Sequence, residues 1–156
     1  MTKQDRQDEA GRPARRDAMA VVARAGGDTL RRLWAEANFD EGAELVRGPE
    51  IGLVMLRGRM GGGGAAFNLG EATVTRATVR LATGEVGHAY ALGRDRDKVR
   101  IAATVDALWQ RPQSRAWVED RIVAPLRDAG AVADSERRRE TAATKVDFFT
   151  MVRGED

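Results

Sequence analysis

The chain has 156 residues, 42% hydrophobic and 32% charged, which is the size and composition of one compact soluble domain. It contains no cysteine, so disulfides, thiolate metal sites and a cysteine nucleophile are excluded. The 26 bases and 24 acids leave a net charge of only +2 and are nearly balanced in every part of the chain, so no basic stripe marks a nucleic-acid partner. The mixed-charge start is unlike a secretory signal, and no run approaches the roughly 20 apolar residues of a membrane span. The expectation is a cytoplasmic protein with neither nucleic acid nor membrane as partner.

In chain order, residues 1–12 read as a polar, flexible start and residues 13–156 as one domain. Pro13 suits the first turn of a helix that carries Met19, Val22 and Ala23 on one face and stops at Gly26-Gly27. Asp28 then reads as the N-cap of a second short helix, with Leu30, Leu33 and Trp34 on its apolar face. The period changes in the middle of the chain. Ile51 to Arg59 is β-like. Thr73 to Leu81 alternates imperfectly, with Val74, Arg76, Thr78 and Arg80 on one side and Thr73, Thr75, Ala77, Val79 and Leu81 on the other. Ala82 to Glu85 is a turn signal, so residues 72–92 predict an antiparallel hairpin.

Asp95 or Asp97 then caps a helix whose buried stripe is Ile101, Ala102, Val105, Leu108 and Trp109, closed by Pro112. Residues 114–128 read as helix broken near Pro125, and Ser135 to Thr144 as a polar helix or a solvated connector. Val146 to Val152 is a short apolar strand or a docking segment. The predicted class is α+β, an antiparallel sheet flanked by N-terminal and C-terminal helices.

The loudest chemical signal is Arg59 followed by Met60 and the run Gly61, Gly62, Gly63, Gly64, directly after a strand. Consecutive glycines can turn N–H groups toward an anion, and the arginine adds charge. No Lys-Ser/Thr pair follows, so this is not a Walker loop. From the residues alone, a plain hairpin loop is the simpler reading. His88 is the only histidine, which argues against a metal site and leaves a structural or interface role, or acid–base work. If the hairpin forms as placed, Arg76, Arg80 and His88 converge on one sheet face. With Arg59, Gly61, Gly62, Gly64 and Arg94 they are the candidates for holding phosphate. The alternative is a solvated strand face. Asp106, in mid-helix, either pairs with an arginine or faces water. Phe148, Phe149, Met151 and Arg153 near the C-terminus suit a partner's groove or a last strand of the chain's own sheet.

Together these blocks resemble the PhnG family. The resemblance is carried by Arg59-Met60-Gly61-Gly62-x-Gly64, by Gly70 through Arg76, and by Val79-Arg80-Leu81. Gly84-x-x-Gly87-His88-Ala89-Tyr90, Gly93-Arg94-Asp95, Asp106-Ala107-Leu108 and the run from Lys145 to Glu155 complete it. Order and spacing agree over residues 15–155, leaving out the first dozen residues and Arg137-Arg138-Arg139.

The resemblance implies a subunit of the C–P lyase core complex, assembled with PhnH, PhnI and PhnJ. Such subunits support, with PhnH, PhnI and PhnL, the step in which methylphosphonate displaces adenine from MgATP. The product is α-D-ribose 1-methylphosphonate 5-triphosphate. It further implies that PhnI is the nucleosidase-like subunit. The iron–sulfur cluster and S-adenosylmethionine belong to PhnJ, and the chain itself binds no cofactor. The family offers no catalytic residue to carry over. A subunit that lends arginine and glycine-loop residues to the triphosphate site is the second reading.

Overall fold

A computed structural model describes residues 3–39, 42–59 and 64–144. Helix α1 spans Lys3–Arg24 and α2 Gly27–Ala37. Three strands follow, β1 (Ala43–Gly58), β2 (Phe67–Leu81) and β3 (Val86–Leu92), and then α3 (Arg96–Gln110), α4 (Pro112–Val118) and α5 (Ala124–Ala143). The sheet is an antiparallel meander in the order β1-β2-β3, so the α+β class with a central sheet is what forms. None of the described helices is long and apolar enough to cross a membrane. The segment Val146 to Val152, expected as a strand or docking element, lies outside the described residues.

Helix α3 is the axis of the core. From Lys98 to Trp109 only Arg100 reaches solvent. One flank meets the sheet face formed by Thr75, Ala77, Val79 and Leu81, the face that strand alternation assigns to the interior. The other flank meets Val22, Leu30 and Leu33 of α1 and α2, with Val118, Ile122 and Leu126 behind them. Val74 departs from the alternation, being buried although its neighbours Arg76 and Arg80 on that face are exposed. Phe39 sits between Trp34 and Trp117, with ring centroids at 5.7 and 5.1 Å.

Three local expectations need correction. Helix α1 begins upstream of Pro13, which lies inside it. The preceding Gln, Glu, Ala and Arg residues are good helix formers and carry the helix past the proline. The N-cap of α2 is Gly26, not Asp28; Asp28 sits in the first turn and its carboxylate accepts from Arg31 at 2.7 Å instead. The helical run after Pro112 does not break at Pro125. A π-helical turn over Glu119–Val123 joins α4 to α5, absorbing a ring that has no N–H to give the preceding turn. The β2–β3 turn forms as expected, with Gly84 at φ 103° and its N–H donating to the Leu81 carbonyl.

Candidate functional site

The open face of the sheet carries the charged side chains singled out above. Register places Arg76 opposite Tyr90 and Thr78 opposite His88, so Arg76, Arg80 and His88 do share one exposed face. Two of the three are already engaged. Arg76 donates to Glu50 at 3.0 Å, as does Arg47. These hydrogen bonds, Arg47's foremost, hold the Glu50 carboxyl below its ordinary pKa. The His88 ring meets the Thr78 hydroxyl at 3.1 Å. Arg80 has no ion pair among the described residues.

The other phosphate candidates stand apart from this face. Arg59 follows the end of β1, where Gly58 pairs with Phe67, whereas Arg94 follows β3, whose last pairing is Leu92 with Val74. At about 3.3 Å per residue, the run of β2 from Phe67 to Val74 separates the two levels by roughly 23 Å. Gly64 adopts φ 93°, a glycine conformation, while Gly61 and Gly62 lie outside the described residues. So do the four interface candidates Phe148, Phe149, Met151 and Arg153.

The most organised polar cluster lies behind His88. Asp106, almost wholly buried, accepts from Arg15 Nε at 2.8 Å and from Arg15 Nη2 at 2.7 Å. Its Oδ2 also accepts the main-chain N–H of His88 at 2.8 Å. The fork-to-carboxylate geometry raises the Arg15 pKa further, chiefly through the hydrogen bond to Asp106. One turn on, Gln110 Nε2 donates to the Val86 carbonyl at 2.8 Å. Two side chains of α3 thus satisfy main-chain groups along β3. Gly87, between them, allows the approach: a Cβ there would stand 2.0 Å from the Ala103 oxygen and 2.5 Å from the Ala107 nitrogen.

A second cluster joins the helix starts. Asp95 caps α3 by accepting from Lys98 N at 2.9 Å and takes both oxygens to Arg31 Nη1. The Lys98 amide first, then Arg31, holds its carboxyl below the usual range. Lys98 turns inward, donates to the Ala23 carbonyl at 2.8 Å, and has its pKa lowered by burial. Among the described residues, no group of three or more His, Asp or Glu side chains is placed to hold a metal ion.

Comparison with known proteins identifies the family. The family described as "Phosphonate metabolism protein PhnG" matches residues 13–154. The chain belongs to the PhnG family. It is also 54% identical over 152 residues to the "Alpha-D-ribose 1-methylphosphonate 5-triphosphate synthase subunit PhnG" of Rhizobium meliloti (strain 1021). That alignment covers 96% of this chain and 95% of the relative. Several of the PhnG-like blocks now have physical roles. Gly87-His88 and Asp106 fasten β3 to α3, and Asp95 starts α3 and anchors α2. These are residues that shape the scaffold.

The arginine expected as one option for Asp106 is present, but sequence reasoning did not identify it as Arg15, 91 positions away, and it missed the long β1–β2 arm. The signal for the arm was present, since Ile51 to Leu56 is apolar at successive positions and so cannot turn one apolar face inward and one polar face out.

Proposed function

We propose that this chain is an accessory, non-catalytic subunit of the enzyme that makes α-D-ribose 1-methylphosphonate 5-triphosphate from MgATP and methylphosphonate, releasing adenine, in phosphonate catabolism. The observation that carries this reading is the 54% identity to a synthase subunit along almost the full length of both chains. It acts with PhnH, PhnI and PhnL, within a C–P lyase core that also holds PhnJ, in the cytoplasm. The chain's own cofactor complement is nil; MgATP is the substrate of the assembly, and the iron–sulfur cluster with S-adenosylmethionine is PhnJ's.

The distribution of polar groups supports an architectural role. Asp106, Asp95, Arg15, Arg31 and Lys98 are engaged in holding elements of the fold to one another. Arg76 and His88 of the open face have their own partners in Glu50 and Thr78.

Reconstitution tests it. Purified PhnH, PhnI and PhnL, given MgATP and methylphosphonate, should release adenine only when this chain is added. The chain alone should release none. Full turnover without the chain, or turnover by the chain alone, overturns the reading.

A further inference from the structure

Strand β3 pairs only with Val74 to Arg80 of β2, so beyond Val74 the strands β1 and β2 continue as a two-stranded arm. The unaccompanied stretch of β2, Phe67 to Thr73, makes the arm roughly 23 Å long at about 3.3 Å per residue. Such a ribbon is at best marginal in water by itself. Its side chains are not those of a solvated hairpin. Ile51, Leu53 and Met55 alternate onto one face, with Leu53 63% and Met55 56% exposed. Val54 and Leu56 alternate onto the opposite face. A register irregularity between Leu56 and Arg57 brings Leu69, 61% exposed, to this second face, where it lies against Gly58. Phe67, 43% exposed, is the first residue of β2 and pairs with Gly58.

We infer that the arm inserts into an apolar cleft of another subunit of the synthase, which encloses both of its faces. The inference rests on the subunit role proposed above and assigns that role to a surface. The occupant follows from area and charge. One face of the ribbon, roughly 23 Å by 10 Å, offers only about 230 Å² in projection, and enclosing both faces roughly doubles the area covered. A two-fold contact with a second copy would present one face or one edge of each arm and leave the other apolar face wet. A cleft covers both faces and the free β1 edge together. The exposed charges of the arm are Arg57 and Arg59 at the tip against Glu71, so the closed end of the cleft is acidic.

Co-purification of the full-length chain with the other synthase subunits tests this. Leu53→Asp on the first face and Leu69→Asp on the second should each cut recovery of the partner subunits by about tenfold or more. Val132→Asp, exposed on α5, should leave recovery unchanged. Thermal unfolding of the isolated variants should match wild type. Several outcomes overturn the inference. If both arm variants assemble normally beside an assembling wild type, the arm is not the docking element. If only one face matters, no cleft encloses it. If the isolated wild type is a dimer that the variants break, a second copy is the occupant. If the variants unfold more easily alone, the chain covers its own arm. Failure of the wild type itself to assemble strikes the subunit role, and the inference falls with it.

Discussion

The two edges of the sheet are finished in opposite ways. Along β3, the Val86 carbonyl and the His88 N–H are met by Gln110 and Asp106 of α3, and Arg15 of α1 closes over the Asp106 carboxylate. Along β1, the other edge, no further strand pairs among the described residues, and Leu53 and Met55 of its outer half are exposed. Edge strands recruit other chains unless charge, twist or cover prevents it. The closed edge has been withdrawn from that use by its own chain. The open one has a long strand, apolar side chains on both faces, and only Pro49 and its neighbouring irregularities to interrupt it near the base. A protein stable enough to fold around the first edge can keep the second ready for a partner. The difference therefore separates folding from assembly: the β3 side determines whether the chain is stable, and the arm determines what it joins.

That separation can be broken hardest at Gly87. Gly87→Ala puts a carbon within 2.0 Å of the Ala103 oxygen, a backbone atom on the central helix that has nowhere to retreat. The expected cost is about 3 kcal/mol or more, read as a collapse of the urea midpoint of the isolated chain. A variant with wild-type stability would show that β3 does not depend on close contact with α3. Asp106→Ala comes next. It leaves the His88 N–H without an acceptor and Arg15 without its carboxylate. Arg15 keeps 35% of its side chain in water, so the expected loss is about 2–3 kcal/mol rather than the larger cost of a wholly buried orphan charge. The double variant Arg15→Ala/Asp106→Ala should cost less than the two single losses added together, and strict additivity would mean the pair is not coupled.

The closed half was the more legible part of the sequence, and the reason is physical. Period-2 alternation from Thr75 to Leu81 and period-3.6 spacing from Ile101 to Trp109 are local patterns, and the turn at Gly84 has its own chemistry, so the hairpin and the central helix could be read residue by residue. Asp106 stands out in the sequence as a charge among apolar neighbours that could pair with an arginine, but nothing local links positions 15 and 106 to say which one. The start of α1 was misplaced because a proline that usually begins helices here lies within one. The arm was read as a strand but not as an arm. Its departure from alternation looks the same in sequence as that of a strand inside a sheet, although here the apolar side chains are exposed. Of the phosphate candidates, the pattern brought Arg76, Arg80 and His88 together correctly, because strand register follows from the turn. It could not show that Arg59 lies at the far end of a long ribbon from Arg94.

The smallest expected effect sharpens the comparison through pH. Asp95 ties α2 to α3 on the closed side, and its carboxyl is held below the ordinary value by the Lys98 amide and by Arg31. A carboxyl lowered in the folded state adds stability that is fully present above its unfolded pKa of about 3.9 and is lost as pH falls through the lower folded value. Asp95→Asn can still accept from the Lys98 amide, so it removes the charge while sparing the cap. Its urea midpoint should sit below wild type by a constant margin from neutrality to about pH 5, and the margin should shrink below about pH 4. Glu50, on the open face, is lowered for the same kind of reason by Arg47 and Arg76, but all three side chains are about half in water. Screening makes such pairs weak, so Glu50→Gln should give a margin smaller still. If Glu50 proved the stronger of the two, the charges that stabilise the fold would lie on its exposed sheet face, and the division between a self-sealed edge and a surface kept for partners would have to be redrawn.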